Sequence, residues 1–207
     1  MAKEVRMPAI DEIAGLTRWA QVLFAARCAE RLEPFVRTDP RATPKIVLAV
    51  TDAISAAYEA VASAGLGRSW NDANRARLAA IVAGRRLSEV PAAHNMTMEN
   101  GPGRRAAFAA AHAADAAAAA IADREAIGVS SGPDHVAYAA AVLGSWIILD
   151  MADPGDVRWA VFHRTARQDF WVLSKRAERM QWTNDTPIAA AVCGPPWPKG
   201  PPEGWPA

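Results

Sequence analysis

The chain is poor in the features that usually announce a function. It carries two cysteines in 207 residues, Cys28 and Cys193, too few for a disulfide framework, so a reducing compartment is the simpler expectation. Charge of one sign is not in excess either. There are 23 Lys and Arg against 22 Asp and Glu, a formal net charge of +1, which removes any global attraction to nucleic acid. No stretch alternates apolar and polar residues long enough to make a strand. The opening MAKEVRMPAIDEI lacks the apolar core of a signal segment. The most apolar run, Val136 to Leu149, is about 14 residues where a bilayer span takes roughly 20. The alanine-rich run Ala106 to Ala122 is interrupted by His112 and Asp115, so no membrane span is expected. A phosphate-cradling glycine loop, a G-x-S-x-G elbow, H-E-x-x-H and C-x-x-C are all missing. With no metal-ligand pattern and no cofactor motif, neither is expected.

What is abundant is alanine, roughly a quarter of the residues, the best helix former and small enough to let helices approach closely. Hydrophobic residues are 51% and charged residues 22%, which fits a globular domain and excludes a disordered chain. Helical spacing recurs along the chain. A first helix is predicted from Asp11, as N-cap, to Glu33, ended by Pro34, with Ile13, Thr17, Ala20, Phe24, Cys28 and Leu32 on one face. A second starts at Thr43-Pro44, buries Ile46, Val50, Ile54 and Val61, and closes at Gly65. A third begins at Ser69 or Asn71 and ends near Gly84, with Leu78, Ile81 and Val82 inward. After a 16-residue stretch, Ser88 to Gly103, that reads as a loop, a fourth runs from Pro102 to about Ala126. A fifth follows Gly132-Pro133, and a sixth opens at Asp153-Pro154 with Phe162, Ala166, Phe170, Leu173, Ala177 and Met180 on its face. The fold class is therefore all-α, a bundle or orthogonal array of about six helices over residues 1–182.

From Thr183 the texture changes. Residues 183–207 hold seven of the 15 prolines and two of the eight tryptophans. Proline blocks helix, so the segment is extended or turning. Trp197 and Trp205, with Trp182 at the junction, carry large apolar area that seldom stays free in water. The tail is expected to dock on the helical body or on a protein partner.

Four sets of side chains carry possible chemistry. Arg158 and His163, in RWAVFH, have an Arg-x4-His spacing on a helix. His112 and Asp115 stand one turn apart, so a carboxylate could orient an imidazole; an internal hydrogen bond is the plainer reading. Arg158, Arg164, Arg167, Lys175, Arg176 and Arg179 form a basic set on the sixth helix, interleaved with Asp156, Asp169 and Glu178 as on a solvated face. Cys28 sits in an apolar stripe as an inert thiol, whereas Cys193 is the more reachable. His94, Met96 and Met98 lie in the long loop.

The RWAVFH segment resembles the signature of HEPN-type ribonucleases. That likeness implies an all-α enzyme in which His163 acts as acid or base and Arg158 stabilises charge on an RNA phosphate. The ending, WTNDTPI with GPPWP and EGWP, together with FAARCAER at Phe24–Arg31, resembles an uncharacterised family of bacterial proteins. This second likeness implies a cytoplasmic bacterial protein and attaches no activity. From the residues alone, the leading expectation is a non-catalytic protein that binds another protein, as a subunit or accessory of a bacterial assembly, or a second copy of itself. The alternatives are the ribonuclease and a small-ligand carrier with a pocket between alanine-faced helices.

Overall fold

The computed structural model describes residues 7–66, 69–87, 102–125 and 157–206. Among them the protein is all-α: α1 (Ile10–Ala14), α2 (Arg18–Arg37), α3 (Pro44–Ser63), α4 (Trp70–Arg86), α5 (Pro102–Glu125) and α6 (Val157–Met180), followed by a 3-10 turn at Ala190–Cys193. No strand occurs among the described residues. The predicted fifth helix, the start of the sixth at Asp153-Pro154, and the loop with His94, Met96 and Met98 lie outside the described residues.

The alanine-rich helix is the axis of the fold. Every alanine from Ala106 to Ala120 on α5 is buried, on all sides of the helix, and α2, α3 and α4 all pack on it. A methyl group contributes little area itself. It lets neighbouring backbones come close, so that their larger side chains bury against one another and against the helix. Helix α2 supplies most of that bulk through Trp19, Leu23, Phe24 and Leu32.

Local signals set the helix starts. Thr43 caps α3 by accepting from Ile46 N, with Pro44 at the first position, and Ser69 caps α4 by accepting from Asp72 N. Helix α3 ends on left-handed Ala64 (φ 47°) and Gly65 (φ 78°), whose N–H donates to the Ala60 carbonyl at 2.8 Å. A Cβ on Gly65 would stand 3.1 Å from the Trp19 indole, so this turn is also a site of close approach. Helix α3 is, among the described residues, the one helix long and apolar enough to cross a membrane. Here its Val50, Ala53, Ile54, Ala57 and Val61 are buried as parts of the core.

Three expectations are corrected. The predicted helix 11–33 is two helices, because the chain breaks at Gly15–Thr17, with Ala9 rather than Asp11 at the first N-cap. The Glu12 carboxylate reaches back to Ala9 N at 2.6 Å. Pro34 does not end α2, which continues to Arg37. One proline in the last turn removes a single helical donor, and Thr38 N still closes on the Pro34 carbonyl. The third correction matters for function. Leu78 and Val82, expected inward, are each 48% exposed, while α4 buries Ala73, Ala76, Ala80, Ala83 and Leu87. Against an alanine helix the small-residue face packs closest, so the bulkier pair is turned out.

Candidate functional site

The tail lies along the seam between α2 and α6. On α2, Arg27, Arg31 and Phe35 follow at i, i+4 and i+8 and form one stripe; on α6, Phe162, Ala166, Asp169 and Leu173 do the same at i, i+4, i+7 and i+11. Where the stripes meet, Asp169 takes both arginines. Its carboxylate accepts from Arg27 Nε at 2.7 Å, from Arg27 Nη2 at 3.3 Å and from Arg31 Nη2. All three residues are at most 2% exposed. Burial works against the Arg27 charge, but the bonds to Asp169 outweigh it and hold the guanidinium above its ordinary pKa.

Two cations around one anion leave a buried excess of positive charge, which must be solvated by dipoles. The tail provides them. The carbonyls of Gly194 and Pro195 accept from Arg27 at 2.9 Å each, and that of Pro196 accepts from Arg31 Nε at 2.8 Å. Prolines 195, 196 and 198 have no N–H to give to a helix or sheet ladder, and this stretch carries free acceptors. Gly194, at φ 74°, starts the run in a left-handed conformation that an L side chain resists.

Next to this polar lock is an aromatic one. Trp205 sits 4.9 Å from Phe35, 5.2 Å from Trp159, 6.0 Å from Phe162 and 5.1 Å from Trp197, ring centre to ring centre. Most of these pairs are edge-to-face, the arrangement favoured by ring quadrupoles. The Trp205 indole N–H donates to the Arg31 carbonyl at 2.9 Å, and the Arg31 guanidinium lies 5.5 Å from the centre of the Trp197 ring. Nearer the start of the tail, Asn184 Oδ1 accepts from Arg18 N at 2.9 Å, capping α2 where Thr17 makes no side-chain cap bond. Ile188 is buried and donates its N–H to the Val61 carbonyl at the end of α3, 3.1 Å away. Trp182 packs on the core edge, half-buried.

The other predicted residues do not assemble into one site. Arg158 donates to the Gly204 carbonyl of the tail at 3.0 Å. His163, five residues further along α6, is half-buried with Nε2 enclosed and unpartnered, and burial lowers its pKa. On α5, the Asp115 carboxylate meets Arg77 of α4 at 3.2 Å. Burial lowers the pKa of the half-buried His112 beside it. Asp169, read as part of a solvated face, is instead the buried centre of the seam. Arg167 pairs with Glu12 at 2.6 Å and keeps that carboxyl below its usual range, while Lys175 pairs with Glu178 on the surface. Burial pushes both thiols, Cys28 and Cys193, up to about 12, so neither is a ready nucleophile. Among the described residues no three His, Cys, Asp or Glu side chains are grouped as a metal would need.

Sequence reasoning missed Arg27 and Arg31 as a pair. Their signal was present: two arginines four apart in a helix whose surroundings are otherwise apolar. It also missed a groove of about 360 Å³ between α3 and α4. Ile46, Ala49, Leu78 and Val82 line it, and Lys45, Arg75 and Arg86 stand around it. No family model matches the chain, and neither a curated protein nor a solved structure matches it.

Proposed function

We propose that this protein is a non-catalytic helical interaction module of the bacterial cytoplasm, and that its α3–α4 groove seats an acidic amphipathic helix of a protein partner. The observation that carries this reading is the outward placement of Leu78 and Val82, which leaves apolar side chains at the surface across the groove from Ile46 and Ala49. The cations around them, Lys45, Arg75 and Arg86, select the charge of the occupant. A helix laid in such a groove would use apolar anchors at i, i+3, i+4 and i+7 with carboxylates to either side. The tail, by contrast, docks along the α2–α6 seam and lends no residue to this groove.

An HEPN-type ribonuclease finds less support, since Arg158 spends an N–H on Gly204 and the His163 Nε2 is enclosed. The carrier reading would use the same groove, but its exposed lining suits a helix better than an enclosed small molecule.

The test is affinity capture from the native cell with the wild-type chain and with Leu78→Asp/Val82→Asp. A synthetic peptide covering the most acidic amphipathic helix of the captured protein is then titrated onto both. Loss of capture and of peptide binding in the variant, with unchanged circular dichroism, supports the proposal, and binding should weaken with salt. An unchanged set of captured proteins, or no capture by either form, refutes it.

A further inference from the structure

The turn that sends the chain from α6 back along its own body is made under strain. Helix α6 closes in a Schellman arrangement: Trp182 N donates to the Ala177 carbonyl at 2.9 Å and Gln181 N to the Glu178 carbonyl at 3.4 Å. The pivot residue of this motif takes the left-handed conformation and is usually glycine. Here it is Gln181, at φ 50°, and a Cβ there is disfavoured.

Every tail contact that holds the lock comes after this pivot: Asn184 on Arg18, Ile188 on Val61, the Gly194–Pro196 carbonyls on Arg27 and Arg31, and Trp205 on Arg31. None of these contacts depends on which copy of the chain the tail belongs to. Nor can the seam be left empty at low cost. Without a tail, Arg27 and Arg31 keep one shared carboxylate and lose three carbonyls, and Phe35, Trp159 and Phe162 face water. A tail that leaves is therefore replaced by another tail, not by solvent.

We infer that the α2–α6 seam is a receptor for the Pro/Trp segment of a second copy of this chain, and that the protein forms a dimer by exchanging tails. Both seams stay filled in the exchanged dimer, so the difference from the monomer lies in the pivot of each copy, where strain is relieved while the closing bonds to Ala177 and Glu178 pass to water, and in the entropy of association. Intramolecular docking benefits from an effective concentration of about 1 mM, so the monomer dominates when dilute and exchange is favoured at protein concentrations approaching that value. The inference is independent of the α3–α4 groove.

The test uses full-length chains, unfolded and refolded at low protein concentration and at about 0.5 mM, close to the effective concentration of a tethered tail. Size is read by light scattering and tail burial by tryptophan emission. Wild type refolded concentrated should give a dimer with the emission of the monomer. Gln181→Gly, which removes the strain at two pivots per dimer, should lower the dimer association constant by roughly tenfold or more. Gln181→Pro cannot adopt a positive φ and should be mainly dimeric, with native emission. Leu78→Asp/Val82→Asp should leave the dimer unchanged, which separates tail exchange from association through the groove. Only monomer from concentrated wild type overturns the inference, as do equal dimer fractions for wild type and Gln181→Gly, or loss of the dimer in the groove variant. Should Gln181→Pro fail to fold, the wild-type and Gln181→Gly comparison decides alone.

Discussion

The indole N–H of Trp205 donates to the main-chain carbonyl of Arg31, 174 positions earlier in the chain, at 2.9 Å. One bond thus joins the last turn of the tail to the helix whose Arg27 and Arg31 side chains are held by Asp169. The polar lock and the aromatic lock are two halves of one device, and substitutions in either should be felt across the α2–α6 seam.

Asp169→Ala leaves two guanidinium groups buried without their anion. Removing one partner of a buried charge set costs about 3–5 kcal/mol. Urea denaturation followed by circular dichroism should show a midpoint lowered accordingly, whereas an exposed change on the same helix, Trp171→Ala, should stay within about 0.5 kcal/mol.

Trp205→Ala removes the central ring of the aromatic cluster together with the bond to Arg31. The expected loss is about 3–5 kcal/mol. The remaining tryptophans of the cluster, Trp159 and Trp197, should shift their emission to the red as water enters. Proteolysis should then cleave within residues 183–206 well before the helical body.

Gln181→Gly should stabilise the monomer by about 1 kcal/mol, because the left-handed pivot no longer strains a Cβ. Chemical denaturation at low protein concentration measures this directly, and Gln181→Ala provides the control that keeps the strain.

Stability should fall on mild acidification. Burial lowers the pKa of both His112 and His163 from the ordinary 6.5, so below that pH the unfolded chain binds protons that the folded chain refuses. Stability is then fully present above about pH 6.5 and declines as pH drops from there toward the folded values. Denaturation midpoints between pH 7.5 and 5 should show this slope, and it should flatten in His112→Asn and His163→Gln.

Neither thiol should react with Ellman's reagent in the folded protein at pH 8. With both pushed up to about 12, the thiolate fraction is on the order of 10⁻⁴, against about a quarter for an ordinary cysteine at that pH. Both should titrate at once in denaturant.

Much of the fold was legible because helix formation is read from near neighbours. Thr43-Pro44 and Ser69 are caps that act within three residues, and the buried positions of α3 follow from 3.6-residue spacing alone. The docking of the tail tryptophans, Trp205 buried and Trp197 partly so, was likewise foreseeable, since a large apolar ring needs a surface wherever the chain goes. Helix spacing could not say which side of α4 faces inward. Leu78 and Val82 have the greater apolar area, yet the alanine face won because α5 offers an alanine surface that rewards close approach. That choice depends on a partner helix some thirty residues away in the chain.

The candidate site was hidden for the same reason. Asp169 looks like any carboxylate on a charged helix until α2 brings Arg27 and Arg31 against it, and the free carbonyls of Gly194 to Pro196 have no meaning until those guanidinium groups need acceptors. The sequence by itself determined the helices, their caps and the presence of an extended tail that seeks a surface, all properties of local spacing and side-chain size. Only the tertiary structure decided that this surface is the chain's own α2–α6 seam and that Leu78 and Val82 face water. Both outcomes come from long-range complementarity of charge and shape, which no short window of residues contains.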